Sequence, residues 1–385
     1  MRAGFFWTAL GLVAYTYVGF PLLLALRGAL LHRPYRSASI QPLVSLIIAA
    51  RNEAAGIGAK LANIDQLDYP MDRLQVIVAS DGSDDGTEEI VDGHPGHRIT
   101  LLRRPREGKA AALNAAVATA NGEILVFSDS NSRYASDAVS RLVMPFADPQ
   151  VGGVAGNQVY ERRARLDGSS EGERAYWGYD RWMKVAESRA GSTVSATGAI
   201  YAIRRDLFEP IPDGVTDDFY TSVGVIAKGR RLVFAPDAIA YEPPATSGRF
   251  EFERKVRIMT RGLQGVMLRR RLLDPRLHGF YAVQLASHKV LRRLMVFPMI
   301  VLALGAVALW RDGRLYRWAA LGQLTFYAAA CVGLMPWHGG RRKVFALPAF
   351  ICLATAASAA ASWNMLRGRR IDRWEPSRSQ DGTPP

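Results

Sequence analysis

Residues 43–53 read LVSLIIAARNE, residues 74–83 read LQVIVASDGS, and residues 123–131 read EILVFSDSN. Each segment begins with a short apolar run, typical of a buried strand, and ends in polar residues. The predicted strands are 43–50, 74–80, 99–102 and 123–128, and the predicted helices between them are 54–66, 85–91 and 109–120. This alternation indicates right-handed βαβ units on a mostly parallel sheet, and hence an α/β domain.

The polar ends of these strands predict a binding crevice. In an open parallel sheet, ligands bind beyond the carboxyl ends of the strands. The side chains that follow the three strands are Arg51, Asn52, Glu53, Asp81, Asp129 and Asn131. Aspartates on neighbouring strands suit a Mg²⁺ or Mn²⁺ ion that holds a diphosphate, because hard cations prefer oxygen ligands. Taken alone, SDGSDDGT (80–87) also fits a turn followed by a helix N-cap.

Two later features suggest chemistry on an anionic ligand. Lys109 opens an alanine-rich helix, so its ammonium and the helix N-terminal amides are predicted to face a phosphate; a solvated lysine is the alternative. Asp217 and Asp218 follow a turn rich in proline and glycine. An aspartate is ionised at neutral pH, which suits one of them to act as a general base toward a hydroxyl nucleophile. A simple helix cap is the other interpretation.

Several other functional classes lack their motifs. No GxxxxGK[ST] or GxSxG motif occurs, and Leu61 occupies the third glycine position of a dinucleotide fingerprint. The two cysteines, Cys331 and Cys352, lie in apolar stretches, which excludes a disulfide framework or a thiolate zinc site. No groove-reading element accompanies the basic residues, so we expect no nucleic-acid partner.

The distribution of charge predicts a membrane protein. The formal net charge is +14, which suits an anionic ligand or a lipid surface. Four stretches carry no Asp, Glu, Lys or Arg: 3–26, 294–310, 318–340 and 344–366. Because about 20 apolar helical residues cross a bilayer core, we expect four transmembrane helices. Residues 251–293 place basic side chains beside an apolar stripe, which predicts helices lying on the membrane face.

Taken together and in this order, these motifs resemble the family 2 glycosyltransferases. The resemblance is strongest to membrane-embedded members related to cellulose, chitin, hyaluronan and poly-N-acetylglucosamine synthases, and it covers roughly residues 42–265. It implies a GT-A fold, a nucleotide-diphospho-sugar donor, and transfer with inversion. The implied cofactor is Mg²⁺ or Mn²⁺.

The resemblance also implies roles for individual residues. The expected donor-binding residues are Arg51, Asn52, Glu53, Asp81, Lys109, Asn114 and Asp129. Asp129 and Asn131 match the family's Asp-x-Asp metal motif, with an amide in the second position. Asp218, in a segment similar to Thr-Glu-Asp, is the expected catalytic base. Expected acceptor or secondary contacts are Thr197, Gly198, Asp217, Arg204, Arg205, Arg254 and Arg257.

The segment RKVRI (254–258) keeps the arginine of the family's Gln-x-x-Arg-Trp motif but lacks its glutamine and tryptophan. The missing tryptophan removes an aromatic platform for a sugar ring. The resemblance therefore leaves two products open, namely a polysaccharide of the exopolysaccharide or cell envelope type and single-sugar transfer to a lipid-linked acceptor. A non-catalytic membrane scaffold is the alternative outside enzymes, whereas charge-free spans disfavour a transporter.

The expected organisation follows. It comprises an N-terminal transmembrane anchor (1–30), a GT-A domain (40–250), amphipathic interface helices (251–293), a transmembrane region of about three helices (294–366) and a polar tail (367–385). We expect a multi-pass protein of the cytoplasmic membrane with the catalytic domain facing the cytosol. The expected partners are a nucleotide-sugar donor such as a UDP-sugar, a glycan or lipid-linked acceptor, and membrane lipids.

Overall fold

The computed structural model describes residues 1–96, 99–160, 169–243, 248–335 and 343–369. It divides into two compact units. The helical unit comprises Met1–Leu31, Arg162–Ala186 and Ser247–Arg370, and the sheet-bearing unit is built from His32–Glu161 and Glu187–Thr246. From residue 370 onward, the predicted polar tail lies outside the described residues.

Eight strands form one mixed sheet in the sheet-bearing unit. They are β1 Val44–Ala50, β2 Leu74–Asp81, β3 Ile99–Arg104, β4 Ile124–Asp129, β5 Arg133–Tyr134, β6 Val151–Tyr160, β7 Tyr201–Arg204 and β8 Arg231–Glu242. Their order is β3-β2-β1-β4-β7-β6-β8-β5. Strands β1 to β4 pair in parallel, as do β6 and β8, whereas β7 runs antiparallel to β4 and β6. The prediction of a mostly parallel α/β sheet is confirmed.

Helices flank the sheet and make up the other unit. They are α1 Arg2–Leu30, α2 Ala54–Ile64, α3 Thr87–Asp92, α4 Lys109–Thr119, α5 Ala138–Val143, α6 Ser169–Ala190, α7 Asp217–Ala227, α8 Gly248–Leu268, α9 Pro275–His278, α10 Phe280–Leu291, α11 Val296–Ala308, α12 Arg314–Leu334 and α13 Lys343–Leu366. The predicted helices 54–66, 85–91 and 109–120 therefore form, with boundaries that differ by no more than two residues.

The core of the sheet-bearing unit is built around strands that are covered on both faces. All seven residues of β1 are buried, which explains why its sequence is apolar at every position except Ser45 rather than alternating. Helix α2 packs on the sheet through Ile57, Leu61 and Ile64, which repeat at helical spacing and are buried. The polar residues at the strand ends are thereby held on a rigid base.

The helical unit contains candidate membrane spans. Two described helices are long and apolar enough to cross a bilayer, Arg2–Leu30 and Val344–Leu366. Helices α10 and α11 together pass the same test but are bent by 62° at their junction. The first of these candidate spans contains a π-helical turn, Tyr15–Gly19, and the Tyr15 hydroxyl lies 2.8 Å from Ser287 Oγ in the π-helical part of α10.

Candidate active site

The ends of three neighbouring strands create the site. Strand β1 lies between β2 and β4, with Ala50 opposite Ser80 and Ala49 opposite Asp129. Asp81 and Asp129, the last residues of their strands, therefore reach the same edge. Asp81 is fully buried, and its Oδ1 accepts hydrogen bonds from the backbone N–H groups of residues 107 and 108, at 2.7 and 2.8 Å. Its Oδ2 is buried without a hydrogen-bond partner among the described residues.

Lys109 is the electrostatic centre of this edge. Its Nζ lies 2.8 Å from Asp129 Oδ1 and 3.2 Å from Asp217 Oδ2. Burial alone disfavours the charged ammonium, but the carboxylates of Asp129, Asp217 and Asp218 outweigh this effect and raise the pKa of Lys109 above its ordinary value. The lysine is therefore cationic at neutral pH, and it joins the end of β4 to the start of α7.

The predicted base, Asp218, lies in the first turn of α7 beside Asp217. Its Oδ1 accepts a hydrogen bond from the backbone N–H of Phe219 at 2.7 Å, and carboxylates near a helix N-terminus are stabilised by the helix dipole. Tyr201, on β7, lies close to both acids: burial first, and then the charges of Asp217 and Asp218, raise its pKa well above the ordinary value.

The segment before β7 lies against Asp129. A Cβ added at Gly198 would lie 2.8 Å from Asp129 Oδ2, so only glycine leaves room for the carboxylate in this position. The neighbouring Thr197 has a buried Oγ1 without a hydrogen-bond partner in the described part of the chain. The structure therefore brings Thr197 and Gly198 to the same edge as the predicted donor-binding residues.

The loops after β1 and β2 support each other. Asn52 has a left-handed backbone (φ 51°), and its amide exchanges two hydrogen bonds with Asp84, at 2.7 and 3.0 Å. The backbone N–H of Glu53 donates to Thr87 Oγ1 at 2.8 Å. Burial, reinforced by the charge of Asp129 and opposed by a hydrogen bond from Ser130, raises the pKa of the Glu53 side chain. The structure therefore places Asn52 and Glu53 at this edge, where Arg51 begins the same loop.

Asn114 connects two parts of the site. Its Nδ2 donates to the carbonyl oxygen of Ile211 at 2.9 Å, and its Oδ1 accepts from the N–H of Ile211 at 2.8 Å. This pair fixes α4, which carries Lys109, to the loop that leads into Asp217. Asn114 thus contributes to the site by holding α4 and this loop in place relative to each other.

The structure does not bring every predicted residue to this edge. Arg204 pairs with Ile124 at the opposite end of β4, and its guanidinium donates to the carbonyl oxygens of residues 146, 148 and 151. Arg205 donates from Nη1 to the carbonyl oxygen of Ala120. The expectation that these two arginines make acceptor or secondary contacts at the site is therefore corrected, because β7 runs antiparallel to β4 and carries its end away from Asp129. Arg254 and Arg257 lie on α8, in the helical unit, and are partly buried there.

The side-chain oxygens at this edge suit a metal ion that is also coordinated by a bound ligand, rather than one held by protein side chains alone. No group of three or more His, Cys, Asp or Glu side chains in the described segments is arranged to hold a metal ion. Asp129 is 31% exposed, and the exposed Asn131 lies two residues further along. Mg²⁺ typically takes one or two carboxylates together with substrate phosphates. Asp129 and Asn131 fit such a site, with Lys109 as an additional cation.

One buried residue of this region was not predicted. Lys60 lies on α2 between Ile57 and Leu61, on the face that packs against the sheet, and it is only 4% exposed. The sequence signal that could have identified it is a lysine at a position where the amphipathic pattern of the helix expects a buried apolar residue.

Comparison with known proteins gives a consistent result. Residues 41–265 match the family model described as "Glycosyltransferase like family 2". "Probable glycosyltransferase YdaM" of Bacillus subtilis (strain 168) is 27% identical over 59% of this chain and 57% of that protein. An N-acetylglucosaminyltransferase of Rhizobium meliloti (strain 1021) is 30% identical over 51% and 50%. A beta-monoglucosyldiacylglycerol synthase of Trichormus variabilis is 27% identical over 46% and 40%.

A solved structure matches over almost the whole chain. The mannosyltransferase PcManGT from Pyrobaculum calidifontis, in complex with GDP-Man and Mn²⁺, has a TM-score of 0.73 and 27% identity, covering 96% of this chain and 100% of that one. This likeness confirms the predicted GT-A fold. By contrast, the chain spans about half the length of the curated relatives it matches.

Proposed function

The chain belongs to family 2 of the glycosyltransferases, and from that premise we propose that it is an inverting, metal-dependent enzyme. In this proposal it moves a sugar from a nucleotide-diphospho-sugar to a hydroxyl group of an acceptor. A non-catalytic scaffold is set aside because the family model, two of the curated relatives and the solved neighbour are all named as glycosyltransferases or as transferases of a particular sugar.

One observation carries the proposal: Lys109 bridges Asp129 and Asp217, with Asp218 next to them. In this proposal the Lys109 ammonium faces the donor diphosphate, and the Asp218 carboxylate lies beside it. A leaving diphosphate needs charge stabilisation, and an attacking hydroxyl needs a proton acceptor. Both needs are met within one cluster of side chains.

The reaction follows from these positions. The acceptor hydroxyl oxygen forms a bond to the anomeric carbon while the bond from that carbon to the phosphate oxygen breaks, and the electron pair leaves with the nucleoside diphosphate. The hydroxyl proton passes to the Asp218 carboxylate. Lys109 offsets the charge of the leaving group, and Asp81 holds the loop that precedes Lys109 through its two backbone hydrogen bonds.

We assign the metal to Asp129 and Asn131, together with donor phosphate oxygens. When bound, Mg²⁺ or Mn²⁺ supplies charge stabilisation to the departing diphosphate. The Mn²⁺ in the mannosyltransferase neighbour supports a divalent ion. We further assign Glu53, Asn52 and Arg51 to the nucleoside side of the donor, and Thr197 and Gly198 to the sugar side.

We propose an acceptor at the cytoplasmic membrane, with the sheet-bearing unit in the cytosol, where nucleotide-sugars are made. The candidate spans, together with relatives named as a glycolipid synthase and an N-acetylglucosaminyltransferase, support two products. One is a polysaccharide of the exopolysaccharide or cell envelope type. The other is a lipid-linked acceptor extended by one sugar, which the absence of glutamine and tryptophan from residues 254–258 favours.

The test is release of nucleoside diphosphate by the purified protein in nanodiscs, with UDP-sugars and GDP-sugars offered separately. The GDP-Man in the neighbouring structure makes GDP-mannose a necessary member of this panel. We expect turnover with one donor, stopped by EDTA and restored by Mn²⁺ or Mg²⁺. Mass spectrometry of the product then distinguishes a polymer ladder from a single added sugar. Absence of turnover with every donor, in the presence of membrane-extracted lipid acceptors, contradicts the proposal.

A further inference from the structure

A buried lysine that the proposed reaction does not use lies beneath the metal-holding turn. Lys60 is on α2, and its side chain is 4% exposed. Burial lowers the pKa of its ammonium to about 7, although the carboxylates of Asp129 and Glu242 act in the opposite direction. An ionisable group in such a place is costly unless its hydrogen bonds are made.

Those hydrogen bonds all end on one turn. Lys60 Nζ donates to Ser128 Oγ at 2.7 Å, to the carbonyl oxygen of Ser132 at 2.6 Å and to Ser132 Oγ at 3.2 Å. It also lies 4.1 Å from the centre of the Tyr134 ring. The two serine hydroxyls are 3.0 Å apart, and each donates to the carbonyl oxygen of Asp129. The side-chain nitrogen of Lys60 therefore anchors both ends of the turn 128–132.

A second residue of the same helix fixes the chain just after the turn. Asn63 donates from Nδ2 to the carbonyl oxygen of Tyr134 at 3.0 Å, and its Oδ1 accepts from the N–H of Tyr134 at 2.7 Å. Helix α2 thus fixes the backbone on which Asp129 and Asn131 are presented, without contributing a ligand of its own. The outer residues of metal sites commonly act in this way.

We propose that Lys60 is a positioning residue that holds the turn 128–132 in the shape needed for Asp129 and Asn131 to bind a divalent cation with the donor diphosphate. The inference rests on the proposed function, because it requires that Asp129 hold the metal. It assigns Lys60 to donor and metal affinity, and not to proton transfer by Asp218.

The test compares Lys60→Met, whose unbranched side chain is one atom shorter and cannot donate hydrogen bonds, with Lys228→Met as a matched control. Lys228 Nζ donates to the carbonyl oxygen of Leu207 and lies 3.6 Å from Glu209, away from the turn. Binding is measured directly by electron paramagnetic resonance of Mn²⁺ titrated into the full-length protein with UDP and, separately, with GDP. Donor KM and kcat are measured on the same preparations.

We expect Lys60→Met to weaken Mn²⁺ binding and to raise the donor KM by about 10-fold, with kcat within about twofold of the wild type. Lys228→Met should leave both quantities unchanged. Wild-type Mn²⁺ affinity in Lys60→Met, or an equal loss in Lys228→Met, overturns the inference. A general structural defect is recognised because it lowers kcat and the melting temperature together without a selective change in KM.

Three further variants keep the result interpretable. If Lys60→Met does not fold, Ser132→Ala, which removes one acceptor of the lysine, should weaken Mn²⁺ binding in the same direction, and an unchanged affinity overturns the inference. If both fold, the double variant should lose less than the product of the two single effects, because they act on one network. Asp129→Asn separates the two claims: Mn²⁺ binding unaffected by this change refutes the assignment of the metal to Asp129, which is the part of the proposed function on which the inference rests. Binding lost in Asp129→Asn but intact in Lys60→Met refutes only the inference about Lys60.

Discussion

Replacing Gly198 by alanine tests the geometry of the site without removing a charge or a hydrogen bond. The new Cβ would lie 2.8 Å from Asp129 Oδ2 and 3.3 Å from Oδ1, whereas ordinary van der Waals contact begins at 3.4 Å. Asp129 has a short side chain whose Oδ1 is held by Lys109 at 2.8 Å, so the carboxylate has little freedom to turn away. We expect it to move by roughly half an ångström, because close-packed interiors transmit such strain.

A displacement of this size at a catalytic centre strongly lowers the rate of the reaction. Misplacement by about 1 Å can cost on the order of 100-fold in rate, so we expect Gly198→Ala to lose between about 10-fold and 100-fold in kcat/KM. This corresponds to about 1.4 to 2.7 kcal/mol of transition-state stabilisation. The assay is nucleoside diphosphate release under the conditions that support wild-type turnover.

Gly56→Ala is the matched control for this prediction. Gly56 lies in α2, close in sequence to the loop after β1, and a Cβ there would have nothing within 4 Å. Alanine should also favour the helix by up to about 1 kcal/mol. Equal activity of the Gly198 and Gly56 variants would refute the claim that the Asp129 carboxylate is packed against residue 198.

Three further predictions use the same preparations. Lys109→Met should abolish measurable donor binding in an equilibrium nucleotide titration, because Asp129 and Asp217 would then repel each other and the diphosphate; retained affinity would contradict this role. Lys60 should make the free energy of unfolding rise with pH between about 7 and 10.5, by at most about 1.4 kcal/mol per pH unit. In this range the unfolded chain still binds a proton on Lys60 that the folded protein has released. In Lys60→Met, melting curves recorded across this pH range should lack the rise in stability that is due to Lys60. Arg204→Met should lower the free energy of unfolding by about 2 kcal/mol by leaving buried carbonyl groups unpaired, with an unchanged donor KM; a large increase in KM would place Arg204 in the site after all.

The parallel half of the sheet was predictable because its signal is local. β1, β2 and β4 are mostly apolar runs that end in polar residues, and the rule that ligands lie at carboxyl ends places Asp81 and Asp129 together. The approach of Lys109 to Asp129 follows from its position at the start of α4. The distances and the joint pairing with Asp217 required the folded chain, since more than one hundred residues separate Lys109 from Asp217.

The remaining features depend on strand direction and on side-chain burial. Arg204 and Arg205 follow the motif around Gly198, so sequence proximity suggests the same site, but the antiparallel β7 carries them to the opposite edge. The amide of Asn114 suits a ligand contact in the sequence, yet its partner is the backbone of Ile211, far along the chain. Lys60 shows the converse: its position in the apolar pattern of α2 is a local signal of burial, but its partners, Ser128 and Ser132, lie far along the chain.

The most direct test of the central claim is nucleoside diphosphate release by Asp218→Asn compared with the wild type, using the productive donor, saturating Mn²⁺ and acceptor. Donor binding is measured on the same samples. Because asparagine keeps the shape of the side chain but cannot accept the acceptor proton, the account predicts turnover reduced by about 100-fold or more with donor affinity within a few-fold of the wild type. Wild-type turnover in Asp218→Asn, with folded protein and bound donor, would contradict the assignment of this edge of the sheet as the site of sugar transfer.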